Sequence, residues 1–131
     1  MPNLANITVK KFDAVTNIVW TGVNAASGVD SPAIFRSKTV GSATAHQPEM
    51  RVTVKNNGTK DRVVVTYKYP QIATNSTTGV TSVIGTVDGK LEFTADKATD
   101  STVVNEASAQ FMNLLADALI KQTLADRTNI V

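Results

Sequence analysis

The sequence predicts an α+β chain, antiparallel strands first and helix last, and three observations carry that expectation. Apolar and polar residues alternate up to about residue 96, whereas from Asp100 the apolar ones recur every three or four positions. Clusters of Gly, Pro, Asn, Asp and Ser interrupt the alternating region and divide it into separate strands. Finally, 131 residues, 42% hydrophobic and 18% charged, fit one domain with a core of its own, residues 1–131. There is no cysteine, so stability must come from packing rather than disulfides.

Taken in order, Ile7, Val9 and Lys11 alternate with Thr8, Lys10 and Phe12, and a second segment runs from Asn17 to Val23; a turn about Asp13–Thr16 makes them an opening hairpin. Residues 24–32 (NAASGVDSP) are turn chemistry, and Ala33–Thr39 is read as a short strand. Glu49–Lys55 alternates cleanly and runs into Asn56-Asn57-Gly58, residues that tolerate the positive φ of a tight reversal. Arg62–Tyr69 answers it as the second strand of a hairpin. Pro70 cannot donate to a ladder and is expected to end that strand or to lie on an edge, with Ala73–Gly79 an exposed loop. Val80–Thr94 is the last strand region; within it Asp88-Gly89 is either a turn or a bulge, and the bulge is preferred.

From Asp100 onward Val104, Ala107, Phe111, Leu114, Leu115, Ala118 and Leu119 form a helical stripe, with Asp100 or Ser101 as cap. The helix is expected to run to about Leu124, either unbroken or with a break near Asp117. Asp96 and Asp100 are read as helix-start residues, and Asp117 and Asp126 as members of a solvated helix face.

The alternation sorts the strands into two unlike faces. Met50, Val52, Val54, Val63, Val65, Tyr67, Tyr69, Leu91 and Phe93 form an apolar one, and Arg51, Thr53, Lys55, Arg62, Thr66, Lys68 and Lys90, with Val64 and Glu92 among them, form a basic one. Five or six strands span more than about 20 Å, while one helix covers a stripe of about 10 Å. The apolar face is therefore wider than its own cover, and an obligate dimer that shares helices is expected, with Val63, Val65, Tyr67, Phe93, Phe111, Leu114 and Leu115 in the packing.

Charge is lopsided. Residues 1–70 carry nine basic and four acidic side chains, and residues 71–131 four and seven. The basic face has two readings, an ordinary solvated sheet face or a platform for phosphates, since cations two apart on a strand stand about 7 Å from one another. With Tyr67 and Tyr69 on the apolar side, base stacking is not favoured and backbone contacts are.

No catalytic motif, metal-ligand cluster or cofactor-binding pattern is present, so no enzyme activity and no cofactor are expected. The lone His46 is read as a solvated loop residue. The opening MPNLAN has no basic region followed by an apolar run, and no stretch is long enough to span a bilayer, so a soluble, unprocessed chain without a membrane partner is expected. The sequons at Asn6, Asn57 and Asn75 are read as chance matches.

The segment MRVTVKNNGTKDRVVVTYKYPQIAT, a final strand ending KLEFTA and the helix ASAQFMNLLADALI, in that order, resemble the coat proteins of single-stranded RNA bacteriophages, the levivirus class, over nearly the whole chain. The resemblance implies an N-terminal hairpin (1–24), a five-stranded antiparallel sheet (33–95) and two C-terminal helices (100–126) that pack on a partner subunit in an intertwined dimer. It further implies an icosahedral shell around genomic RNA, assembled in a bacterial cytoplasm, and a loop at 71–82 that changes conformation with position in the shell. An RNA hairpin bound on the inner sheet as a translational repressor completes the expectation, contacted by Arg51, Thr53, Lys55, Arg62, Thr66, Lys68 and Lys90. Departures from the family pattern fall at Asp88, where some relatives have a stacking aromatic, and at Val64, where they have a polar group. Two other readings of the same residues are a dimeric RNA-binding repressor that forms no shell and a β-rich structural subunit that ignores nucleic acid.

Overall fold

The computed structural model describes residues 2–131 as two units, the first ending at Thr94 and the second comprising Ala95–Val131. The first unit is built on β1 (Ile7–Lys10), β2 (Asn17–Asn24), β3 (Ala33–Arg36), β4 (Glu49–Asn56), β5 (Lys60–Thr74) and β6 (Thr81–Asp96), with a single 3-10 turn at Thr44–His46. Among the described residues these strands make one six-stranded sheet in sequence order.

The opening hairpin forms where alternation and turn chemistry place it. Ala14 takes the left-handed conformation at φ 59°, and the Lys11 amide donates to the Thr16 carbonyl at 2.8 Å. The Asp13 carboxylate accepts from the Thr16 hydroxyl and from the amides of Val15 and Thr16, bonds that hold it below the usual carboxylate range, the hydroxyl foremost.

The expected hairpin is continuous with the rest of the sheet, which has six strands in all, four of them from Ala33 onward. β2 gives its first half to β1, Ile7 opposite Trp20 through Lys10 opposite Asn17, and its second half to β3, Thr21 opposite Arg36 and Gly22 opposite Phe35. The partner changes between Trp20 and Thr21, and a register irregularity follows within the β3 pairing, between Gly22 and Asn24.

β4 and β5 pair from Glu49↔Lys68 to Asn56↔Asp61 around the expected turn, where Gly58 has φ 74° and Asn57 N–H donates to the Lys60 carbonyl at 2.9 Å. Of the two expectations for Pro70 the edge position holds on the β4 side: β5 does not end there but continues to Thr74. β4 stops at Glu49, opposite Lys68, so the strand runs past that neighbour and the missing N–H breaks no bond with it. The loop that follows is also tighter than expected. Asn75 N–H donates to Val80 O at 2.8 Å, Gly79 N–H to Asn75 O at 2.7 Å, and the Asn75 side chain accepts from Thr77 and Thr78. Asp88 and Gly89 form no turn: both lie inside the 16-residue β6, and Gly89 is not among the positive-φ glycines.

One sheet face gathers the apolar side chains. Phe35 lies opposite Met50, Met50 opposite Tyr67, Val52 opposite Val65 and Val54 opposite Val63. Among the described residues the buried hydrophobic side chains are Trp20, 8% exposed, and Phe35, 9%. The Trp20 ring lies 5.7 Å from Tyr67, which stacks on Tyr69 at 6.5 Å. Burial, followed by the neighbouring Tyr69, raises the Tyr67 phenol above its ordinary value. A hollow of about 680 Å³ on this face is lined by Ile7, Val9, Ile18, Trp20, Met50 and Tyr69.

The second unit holds α1 (Ser101–Leu115) and α2 (Ala118–Asp126). The Asp100 carboxylate caps α1 by accepting from Thr102 N–H at 3.0 Å. The break falls at Ala116-Asp117, so Asp117 is not a helix-face residue: its side chain caps α2 through Leu119 N–H at 2.9 Å. Asp96 likewise starts no helix and ends β6. Val104, Phe111, Leu115 and Ile120 are half-buried, Leu114 is 66% exposed, and neither helix has a fully buried residue.

Candidate nucleic-acid interface

Cross-strand register decides which charged side chains share a surface. Lys55 lies opposite Arg62, Thr53 opposite Val64, Arg51 opposite Thr66 and Glu49 opposite Lys68, so the basic residues of β4 and β5 stand on the face away from Met50 and Tyr67. Register with β3 adds Arg36, opposite Glu49. Lys90, on β6, joins Arg51, Thr66 and Lys68 around a recess of about 600 Å³ on this side of the first unit. All seven residues expected on the basic face are thereby brought to one surface. Gln47 reaches the rim of the same recess, its side chain held at 3.0 Å by the Gly41 carbonyl. His46, in the adjoining 3-10 turn, is half-buried rather than freely solvated.

Two carboxylates organise the cations. Glu49 accepts from Arg36 Nη2 at 2.7 Å and Nε at 3.0 Å through one oxygen and from Arg51 Nε through the other. Burial pushes the Glu49 carboxyl up, but hydrogen bonds from Arg51 and Arg36 outweigh it and leave the group below its usual value of 4.5. Glu92 holds Arg62 Nε at 2.9 Å and approaches Lys90 Nζ at 3.8 Å. The Arg62 Nε contact is not angled as a hydrogen bond, and that nitrogen is shielded from solvent. Lys55 and Lys68 make no ion pair among the described residues, although each directly faces a charged side chain across the ladder.

Arg36 is not among the expected basic residues. Its alternation within Ala33–Arg36 is visible in the sequence, but its place beside Glu49 depends on a pairing across the twelve-residue connection 37–48 that periodicity does not fix.

The depressed carboxyl of Glu49 gives a pH dependence of stated sign. The stabilisation is complete above the unfolded value near 4.5 and is lost as pH falls through the lower folded value. Urea midpoints measured between pH 7 and pH 3 should therefore fall more steeply in the parent chain than in Glu49→Gln; parallel curves would show that the two guanidiniums contribute nothing.

No protein-family model matches the sequence, and no curated protein does. Solved structures match over the full length. The chain in the virus-like particle of Beihai levi-like virus 21 superposes with TM-score 0.83 at 20% identity, covering 99% of both chains. That of bacteriophage NT-214 gives 0.84 at 15% identity over 99% of this chain and all of its own. The capsid protein of bacteriophage GA gives 0.76 at 11% identity over 97% of each. Six antiparallel strands in sequence order followed by two helices are thus shared end to end with phage capsid subunits: the chain has the RNA-phage coat protein fold.

Proposed function

We propose that the chain is a structural capsid protein that dimerises, assembles into an icosahedral shell and encloses single-stranded RNA against its basic sheet face. The observation that carries the reading is the end-to-end match to capsid subunits, 99% of both chains in the first case, at an identity where only a shared architecture explains the superposition.

Uncovered apolar surface supports the dimer. On β6, Ile84 and Val87 are 60% and 64% exposed, and on the helices Val103, Met112, Leu114 and Leu124 range from 54% to 72%. Such a density of bare aliphatic side chains on regular elements marks an interface rather than a solvated surface. The basic face supports RNA as cargo: Arg36, Arg51, Lys55, Arg62, Lys68 and Lys90 are set on one surface, with Thr53 and Thr66 between them as hydrogen-bonding groups. Binding of an RNA hairpin as repressor belongs to the same proposal and would use the same side chains.

Expression of the chain alone tests the reading. Uniform particles by electron microscopy, holding nuclease-protected RNA and sedimenting as a megadalton species, are expected. A stable monomer at micromolar concentration would exclude the shell, a dimer that binds RNA without assembling would leave a repressor, and particles free of RNA would leave a structural subunit without nucleic acid. For the face itself, Lys55→Ala with Lys68→Ala removes the two cations that no carboxylate holds. The logarithmic salt dependence of RNA binding should flatten by about 0.7 for each phosphate no longer neutralised, with dimerisation intact; an unchanged slope would move the binding face elsewhere.

A further inference from the structure

Four cations of the basic face are already engaged by two carboxylates. Glu49 holds Arg36 and Arg51, and Glu92 holds Arg62 and Lys90. Glu49 accepts hydrogen bonds from both guanidiniums and Glu92 stands as an ion-pair partner 2.9 Å from Arg62 Nε, so each carboxylate fills a place where an anion is favoured. We propose that Glu49 and Glu92 are internal competitors for phosphate, each occupying a place that an RNA backbone must take from it. The proposal rests on the RNA-binding reading above and makes these two residues determinants of which RNA is accepted.

The two positions differ in how firmly they are held. Arg36 and Glu49 have side chains 21% and 19% exposed, and three hydrogen bonds converge on the carboxylate. Arg62 and Glu92 are 37% and 40% exposed, Lys90 64%, and the approach of Lys90 is long. Exposed pairs of this kind are weak, because water screens the attraction and two long side chains must be ordered, so Glu92 yields to an incoming phosphate before Glu49 does. An RNA strand therefore meets Lys55 and Lys68 first and reaches Arg62 and Lys90 by displacing Glu92. It reaches Arg36, 21% exposed and held through two nitrogens, only by breaking the tighter cluster, whose outer member Arg51 is 50% exposed. A strand that reaches one phosphate site at a time bears the displacement without compensation, whereas a folded RNA that places several phosphates together does not. Acidic residues inside a basic face thus suppress indiscriminate binding, a form of selection against the wrong partner.

The test measures binding of the dimeric protein to a uridine homopolymer of fixed length across a salt series. Parent protein is compared with Glu92→Gln, Glu49→Gln, and Glu106→Gln as a control of equal charge change, since Glu106 lies on α1 and bonds Gln110. Glu92→Gln should bind the homopolymer more tightly and steepen the slope by about 0.7 for each additional phosphate neutralised, up to about 1.4 for two. The control should not. In a Lys90→Gln background the tightening caused by Glu92→Gln should shrink, because one of the two released cations is gone. Equal tightening in Glu92→Gln and Glu106→Gln, or an unchanged slope in Glu92→Gln, would overturn the proposal while leaving RNA binding intact. Absence of RNA binding by the parent and every variant would overturn the RNA-face reading itself. Should Glu49→Gln fail to fold, the Glu92 and Lys90 series decides the matter alone.

Discussion

Trp20→Ala is expected to cost about 3–5 kcal/mol, the range for emptying a buried aromatic site. The indole is among the few apolar side chains the sheet buries, and it lies on Tyr67 while bordering the hollow beside Met50. A domain of this size is stable by only about 5–15 kcal/mol, so the loss would remove a large share of the margin. Phe12→Ala is the comparison: that ring, at the hairpin tip, is 97% exposed, and its removal should change stability by less than about 0.5 kcal/mol. Urea unfolding followed by far-ultraviolet circular dichroism reads both without depending on the lone tryptophan. Equal midpoints for the two variants would show that the aromatic cluster does not hold the sheet.

Phe111→Ala and Leu115→Ala are expected to cost about 2–5 kcal/mol each and to shift the dimer toward monomer, which sedimentation at micromolar concentration would report. Both side chains are half-buried along one stripe of α1. Leu114 gives a sharper test of the proposed dimer contact. At 66% exposed it contributes little within its own chain, so any destabilisation by Leu114→Ala must come from a second copy and must depend on protein concentration. Concentration-independent melting of all three variants would place no partner on the helices.

The legible parts of the fold are those decided within a dozen residues. Met50–Val54 and Val63–Tyr67 alternate on either side of Asn56-Asn57-Gly58, and a strand's period of two assigns every side chain to a face once the turn is fixed. The Asp100 cap is equally local. Legibility ends where distant pairing decides. β2 changes partners between Trp20 and Thr21, which joins the opening hairpin to the sheet, and nothing in Asn17–Asn24 announces the exchange. Pro70 reads as a strand end or an edge residue, and only the distant pairing chooses between them: β4 has already stopped, so the missing donor faces no waiting neighbour there. Asp117 reads as a helix-face residue because a short break and a continuous stripe share the same periodicity. The basic face is visible as a set of cations with Glu92 among them; the ion pairs are not, since Glu49 reads as the start of a strand and its partner Arg36 lies beyond the connection 37–48.

Where β5 outruns β4, Gln71–Thr74 and Thr81–Gly85 continue as a narrow ribbon, joined by the Thr74 and Thr81 hydroxyls at 2.8 Å and by Gln71 beside Gly85. A two-stranded ribbon resists twisting far less than a sheet several strands wide. Its six-residue tip can therefore pivot as a lever while the ladder from Glu49 to Asn56 keeps every rung and the centre of the first unit stays undisturbed.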